Sequence, residues 1–252
     1  MKEDKFYNNI QKALENLPEN FNILEEQIDI EIQMQYFEFS KKIRDKDKEQ
    51  TEEFNDGEGE LFSEETDVER KREILSTLAT VDDVKAYRLI EKFLESAKGI
   101  LKPWAVLALQ ENRMLLQSSL LDEQQVFISS GLGGKGQKLR YFVVFINRSK
   151  EAMLNETQRK LLKDELIFEL KKHEGEFELI DFMEGFSTSQ VMLPLKANLK
   201  DIFRNIVDEC NQYGDFLQED MIVTNVKVLS KGEILRMLDK NEEDETNTLE
   251  IE

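Results

Sequence analysis

Apolar residues along this chain keep a helical spacing in the first half and change to a strand spacing in the second. Phe6, Ile10, Leu14 and Leu17 form a stripe at i, i+4, i+8 and i+11 that stops at Pro18, which predicts an amphipathic helix. Residues 23–43 carry two patterns. Leu24, Ile28, Ile32, Tyr36, Phe39 and Ile43 share one helix face, whereas Ile28, Ile30, Ile32, Met34 and Tyr36 alternate as a strand would. The run of about twenty residues is longer than a typical strand, and this favours helix; strand stays open as the alternative. Asp67–Thr80 predicts a helix with Val68, Ile74, Leu75 and Leu78 on its apolar side. Asp82 or Asp83 caps the next, which runs to about Lys98 with Val84, Tyr87, Ile90 and Leu94 on one face and Gly99 as its stop. A third begins near Lys102-Pro103-Trp104 and runs to about Leu121. Short connections predict antiparallel packing of these helices.

Past residue 122 the period changes. Gln125–Ser130 and Leu139–Ile146 read as strands, and Asn155–His173 as a helix capped by Asn155. Phe177–Met183 and Gln190–Leu195 are strands around a Gly185–Ser189 turn. Leu199–Tyr213 is a helix, Met221–Leu229 a strand, and Gly232–Leu238 a short last helix. From Leu139 the order is strand, helix, strand, strand, helix, strand. It resembles the ferredoxin-like split βαβ arrangement, preceded by one extra strand expected to pair in a hairpin. Right-handed crossovers place both helices on one sheet face. The other face is left for the N-terminal helices, a partner or solvent. Val143, Phe145, Val191 and Leu193 are expected to share a face.

In the first half, Ile74-Leu75-Ser-Thr-Leu78-Ala79, then Asp82-Asp83, then Leu89-Ile90-Glu-Lys-Phe93-Leu94, then Pro103-Trp104-Ala105 with Ala108-Leu109, resembles a HEAT-type helical repeat over residues 67–121. The resemblance implies a stacked helical array that binds another macromolecule. The expected class is therefore α+β: an antiparallel, HEAT-like helical module over 1–122, then a ferredoxin-like ββαββαβ sheet domain over 123–239. Residues 44–66 read as a flexible acidic linker and 240–252 as a disordered acidic tail.

Charge refines this division. The 252 residues carry a formal net charge of −19. Residues 1–123 hold 17 basic and 29 acidic residues, residues 124–240 hold 17 and 18, and the last twelve hold six acids and no base. Such a field disfavours non-specific binding to nucleic acid or anionic membrane by the whole chain. Gln124–Lys150 nevertheless lacks any acid and carries Lys135, Lys138, Arg140, Arg148 and Lys150. These five are the candidate partner- or anion-binding residues, with the protein's own acidic linker and tail as the first competitors for them. Phe54, Leu61 and Phe62, set in the acidic stretch, form a possible docking motif; the plainer reading has these aromatics tucked onto the body.

Catalytic chemistry finds little support. One cysteine rules out an internal disulfide, and one histidine rules out a two-histidine metal site. Gly131-Leu-Gly-Gly-Lys-Gly-Gln-Lys138 lies between two strands, without the GxxxxGK[ST] pattern or a following helix, so it reads as a flexible hairpin loop before an anion cradle. His173 suits the C-terminal end of its helix, Cys210 reads as a core residue, and Trp104 as a packing anchor. No signal peptide, transmembrane span or lipidation motif is evident, so cytoplasmic residence is expected. The sequence thus predicts no enzyme, no metal, no cofactor and no membrane partner. It predicts a non-catalytic cytoplasmic protein-interaction adaptor whose partner is another protein. The alternatives are an RNA- or ribosome-associated factor using the basic hairpin at 135–150, and a small-ligand-sensing regulatory domain.

Overall fold

The computed structural model describes residues 21–47, 57–123 and 126–239. The stripe at Phe6–Leu17, Phe54 and the tail at 240–252 lie outside them. The protein is α+β, with a helical half followed by an antiparallel sheet carrying its own helices.

The helical half begins with β1 (Phe21–Ile23) and α1 (Ile30–Asp47). The helix reading of residues 23–43 thus holds from Ile30 onward, and the alternating run Ile28–Tyr36 lies mostly within that helix and forms no strand. Asp29 accepts a hydrogen bond from the Glu31 amide at 2.7 Å and starts the helix there. Residues upstream of that cap are free to pair as strand. Within α1, Gln33, Tyr36 and Ser40 are buried, at i, i+3 and i+7. A short helix, α2 (Glu58–Phe62), precedes α3 (Val68–Ala79), α4 (Val84–Ser96) and α5 (Leu101–Leu121). Asp67 caps α3 by accepting from the Arg70 amide, and Asp83 caps α4 by accepting from the Lys85 amide. Leu75, Leu78, Ile90, Trp104 and Leu107 form the core with Tyr36 and Leu61. Val68 and Val84, expected on apolar faces, are exposed instead. Both sit in the first turn of their helices, beyond the reach of the facing helix.

The second half comprises β2 (Val126–Ile128), β3 (Gly134–Lys135), β4 (Lys138–Asn147), α6 (Glu156–Lys172), β5 (Glu176–Phe182), β6 (Phe186–Pro194), α7 (Leu199–Asn211) and β7 (Leu217–Thr224). Residues 231–239 form a last helix. β4 pairs with β6 along one edge and with β7 along the other, and β5 pairs with β6, all antiparallel. The order β5-β6-β4-β7 is the interleaved pairing of a split βαβ unit. Tyr141, Val143 and Phe145 share one face with Val191 and Leu193, against Leu162, Leu166 and Leu170 of α6 and Ile202, Phe203 and Ile206 of α7. Phe142, Val144 and Phe186 point the other way. They are covered by Leu132, Leu229 and Ile234, that is, by the chain after β7 and its last helix. The second sheet face is closed from within the same half.

Two expectations are corrected. β2 does not form a hairpin with β4; it pairs in parallel with β1, with Phe21 opposite Val126 and Ile23 opposite Ile128. The glycine-rich segment is also no loose loop, because Gly131, Leu132, Gly133 and Gly134 are all buried. A Cβ on Gly131 would lie 1.6 Å from the Val226 carbonyl oxygen, and one on Gly133 would lie 2.4 Å from that of Glu25. The glycines let three backbone segments meet at a junction. Gly136-Gln137 forms the turn itself, closing the β3–β4 hairpin with Lys135 opposite Lys138.

Candidate anion-binding end of the sheet

The five basic residues between Lys135 and Lys150 do not form one patch. Period two along β4 sends Arg140 to the same face as Phe142 and Val144, beside Glu178, where it makes two hydrogen bonds of 2.6 and 2.8 Å to the carboxylate. Its third partner is the Leu132 carbonyl at 2.8 Å. The Glu178 carboxylate raises the Arg140 pKa further, so this guanidinium is committed to the fold. Arg148 pairs with Asp215 at 2.7 Å, and Lys150 is also engaged. Among the described residues, the acids that pair with Arg140 and Arg148 come from β5 and from the turn before β7.

A different cluster forms at the end of the sheet where β4 starts and β6 stops. Lys138 faces Pro194 in register, and the Leu195 amide donates to the Gln137 carbonyl at 3.3 Å. This brings the loop after β6, with Lys196 and the start of α7, beside the β3–β4 turn. Lys138 pairs with Glu176 at 2.6 Å. Lys138, with Lys135 adding to it, holds the Glu176 carboxyl below the usual carboxylate range. Lys135, Lys196 and Lys200 are exposed. Among the described residues no carboxylate pairs with any of these three. Sequence reading missed Lys196 and Lys200 because they stand about fifty positions beyond the basic island; the signal for them is strand register.

The amides of the glycine-rich segment are not available to an anion. The Leu132 N–H donates to Asn225 O and the Gly133 N–H to Ser130 O. Of the acidic docking motif, Leu61 is fully buried, and Phe62 stacks edge-on against Phe93 with Lys92 over its ring. Leu61 and Phe62 thus fold back onto the body. His173 contacts Glu169 at 3.4 Å. Burial raises the Glu169 pKa, but Lys172, Asn205 and His173 together outweigh it and hold the carboxyl low. Cys210 is buried, and desolvation, with Glu165 and Glu209, pushes its thiol up to about 12. A thiol so protonated is no nucleophile at neutral pH. Trp104 donates to Ser76 Oγ at 3.1 Å, under the Arg72 guanidinium, as a packing anchor. Among the described residues no group of three or more His, Cys, Asp or Glu is placed to hold a metal, and no helix is long and apolar enough to cross a membrane.

No protein-family profile matches the chain, and no curated protein matches it. Similar solved structures exist. One is described as a transposase from Deinococcus radiodurans R1, with 13% identity and a TM-score of 0.34, covering 44% of this chain and 93% of that one. Another is a REP-associated tyrosine transposase bound to a REP hairpin, with 13% identity and a TM-score of 0.32, covering 37% of this chain and 59% of that one. These findings correct the sequence reading. The similar structures are transposases, which are enzymes, and not adaptors or HEAT-repeat proteins. The non-catalytic adaptor, its HEAT-like label and the "no enzyme" expectation are therefore withdrawn, together with the ribosome-factor and ligand-sensor alternatives. At these TM-scores the likeness transfers neither an activity nor a substrate to this chain.

Proposed function

We propose that the protein binds nucleic acid through backbone phosphates at the lysine-bearing end of its sheet. The observation that carries this reading is that strand register brings the chain at Lys196 beside the Lys135–Lys138 turn, with Lys200 in the first turn of the helix that follows; Lys135, Lys196 and Lys200 are exposed and in no ion pair among the described residues. Lysine ammonium groups are point charges that suit phosphate oxygens and read no sequence. The net charge of −19 confines the contact to this end and makes it strongly salt-dependent. Register supports naming the second half a ferredoxin-like sheet domain over 123–239, with the helical half before it. We place the protein in the cytoplasm, on its single cysteine.

The test is fluorescence anisotropy with a labelled DNA hairpin and a labelled single strand at 50 and 200 mM salt. The affinity is expected to fall with a log–log slope of about 2 to 3, as three phosphate contacts require. K135A/K196A/K200A should abolish most of it. A lack of binding at 50 mM salt, or equal binding by the triple variant, ends the reading.

A further inference from the structure

The last two turns of α5 carry apolar residues that nothing among the described residues covers. Leu120 is 80% exposed and Leu121 59%, while Leu116 is half-buried. Leu116, Gln117, Leu120 and Leu121 stand three and four positions apart and share one helix face. This is a contiguous strip at the end of a 21-residue helix whose first half is deep in the core.

The chain enters the fold on that same face. Asn22 in β1 donates to Gln117 Oε1 at 3.4 Å. Residues 1–20 therefore join the structure beside Leu120 and Leu121. Their sequence supplies a matching surface: Phe6, Ile10, Leu14 and Leu17 recur at helical spacing, and the stripe stops at Pro18. From Leu17 to Phe21 the extended chain reaches at most about 14 Å. From Gln117 to Leu121 the helix advances about 6 Å. The stripe is thus tethered within reach of the strip, and the local concentration of a short tether is high.

We propose that the N-terminal segment, through Phe6, Ile10, Leu14 and Leu17, docks on the Leu116–Leu120–Leu121 face of α5 in the same molecule. The segment works as a tethered cover for this end of the helical half.

Hydrogen exchange of the full-length chain tests this. Amides of residues 6–17 are expected to exchange at least tenfold more slowly than in an unstructured chain. L120K/L121K should return them to the unprotected rate while α3 and α4 keep theirs. Both leucines are exposed, so these changes leave the fold intact, and I10K on the segment side should give the same loss. A second measurement uses L17C/L121C, since buried Cys210 does not compete for oxidation. An intramolecular disulfide in a monomer is expected. Unprotected residues 6–17 in the unaltered chain, protection that survives L120K/L121K, or a covalent dimer in place of the internal bridge would each overturn the proposal. The last would assign the strip to a second copy.

Discussion

Tyr36 donates a 2.6 Å hydrogen bond to Glu111 Oε2 across the α1–α5 interface, with its phenol fully buried. Ser40 Oγ donates to both oxygens of the same carboxylate, and Arg44 lies 3.3 Å away. Burial first, then the Glu111 charge, raises the Tyr36 pKa well above its ordinary value near 10. The folded phenol stays neutral where the unfolded one ionises. This contribution to stability is complete below about pH 10 and declines as pH rises past it toward the folded value. Urea midpoints between pH 8 and 11 should fall, and Y36F should flatten the fall. Y36F should also lower stability at pH 7 by about 1–3 kcal/mol, because Glu111 loses a buried partner. An identical alkaline decline in Y36F would show that another group drives it.

The glycine junction gives a steric prediction. Gly131→Ala puts a methyl group against the Val226 carbonyl and should lower stability by at least about 3 kcal/mol, seen in thermal melts. Gly136→Ala meets nothing within 4 Å and carries only the strain of φ +59. Its loss should be about 1 kcal/mol. Equal melting points for the two variants would mean the three segments do not meet closely.

Arg140 and Lys196 should separate structure from binding. Arg140→Ala removes a two-point contact to a partly exposed carboxylate and the hold on Leu132 O, so stability should drop by about 1 kcal/mol. Its nucleic-acid affinity should stay within twofold. Lys196→Ala should do the reverse, with an unchanged melt and weaker anisotropy. If Arg140→Ala weakens binding more than Lys196→Ala does, the interface is at the Arg140–Glu178 pair instead.

Cys210 supplies a reactivity prediction. With its thiol pushed up to about 12 and its side chain in the sheet core, it should resist a thiol-specific disulfide reagent in the native protein at pH 8. It should react at once in denaturant. Rapid native labelling would show that α7 opens readily.

Helices α3, α4 and α5 and the strand–helix order after residue 138 were readable because their signals are local: an aspartate before the first turns of α3 and α4, a proline inside the first turn of α5, and period-two runs bounded by turns. The partner of β2 was not. Nothing near Val126 points to Phe21, since parallel pairing of distant segments leaves no local mark. The glycines were read as turn formers because a glycine needed for close backbone approach looks the same in sequence as one needed for a turn. The basic island misled for a related reason. Linear charge counts cannot see Glu176 and Glu178, which β5 brings across the sheet onto Lys138 and Arg140, and cannot see Lys196, which register brings alongside.

The parallel pair of β1 and β2 also imposes an order in time. Phe21–Ile23 leave the ribosome early, yet the strand they pair with lies about a hundred residues later. Until that strand emerges the chain holds β1 unpaired, although Leu24 beside it belongs to the core of the helical half. Pairing with Val126–Ile128 then closes the helical half as one large loop, a step whose entropy must be met before its contacts form. A chain halted before residue 126 holds its helices but not its closure, so completion of the helical half waits on the first strand of the half that follows.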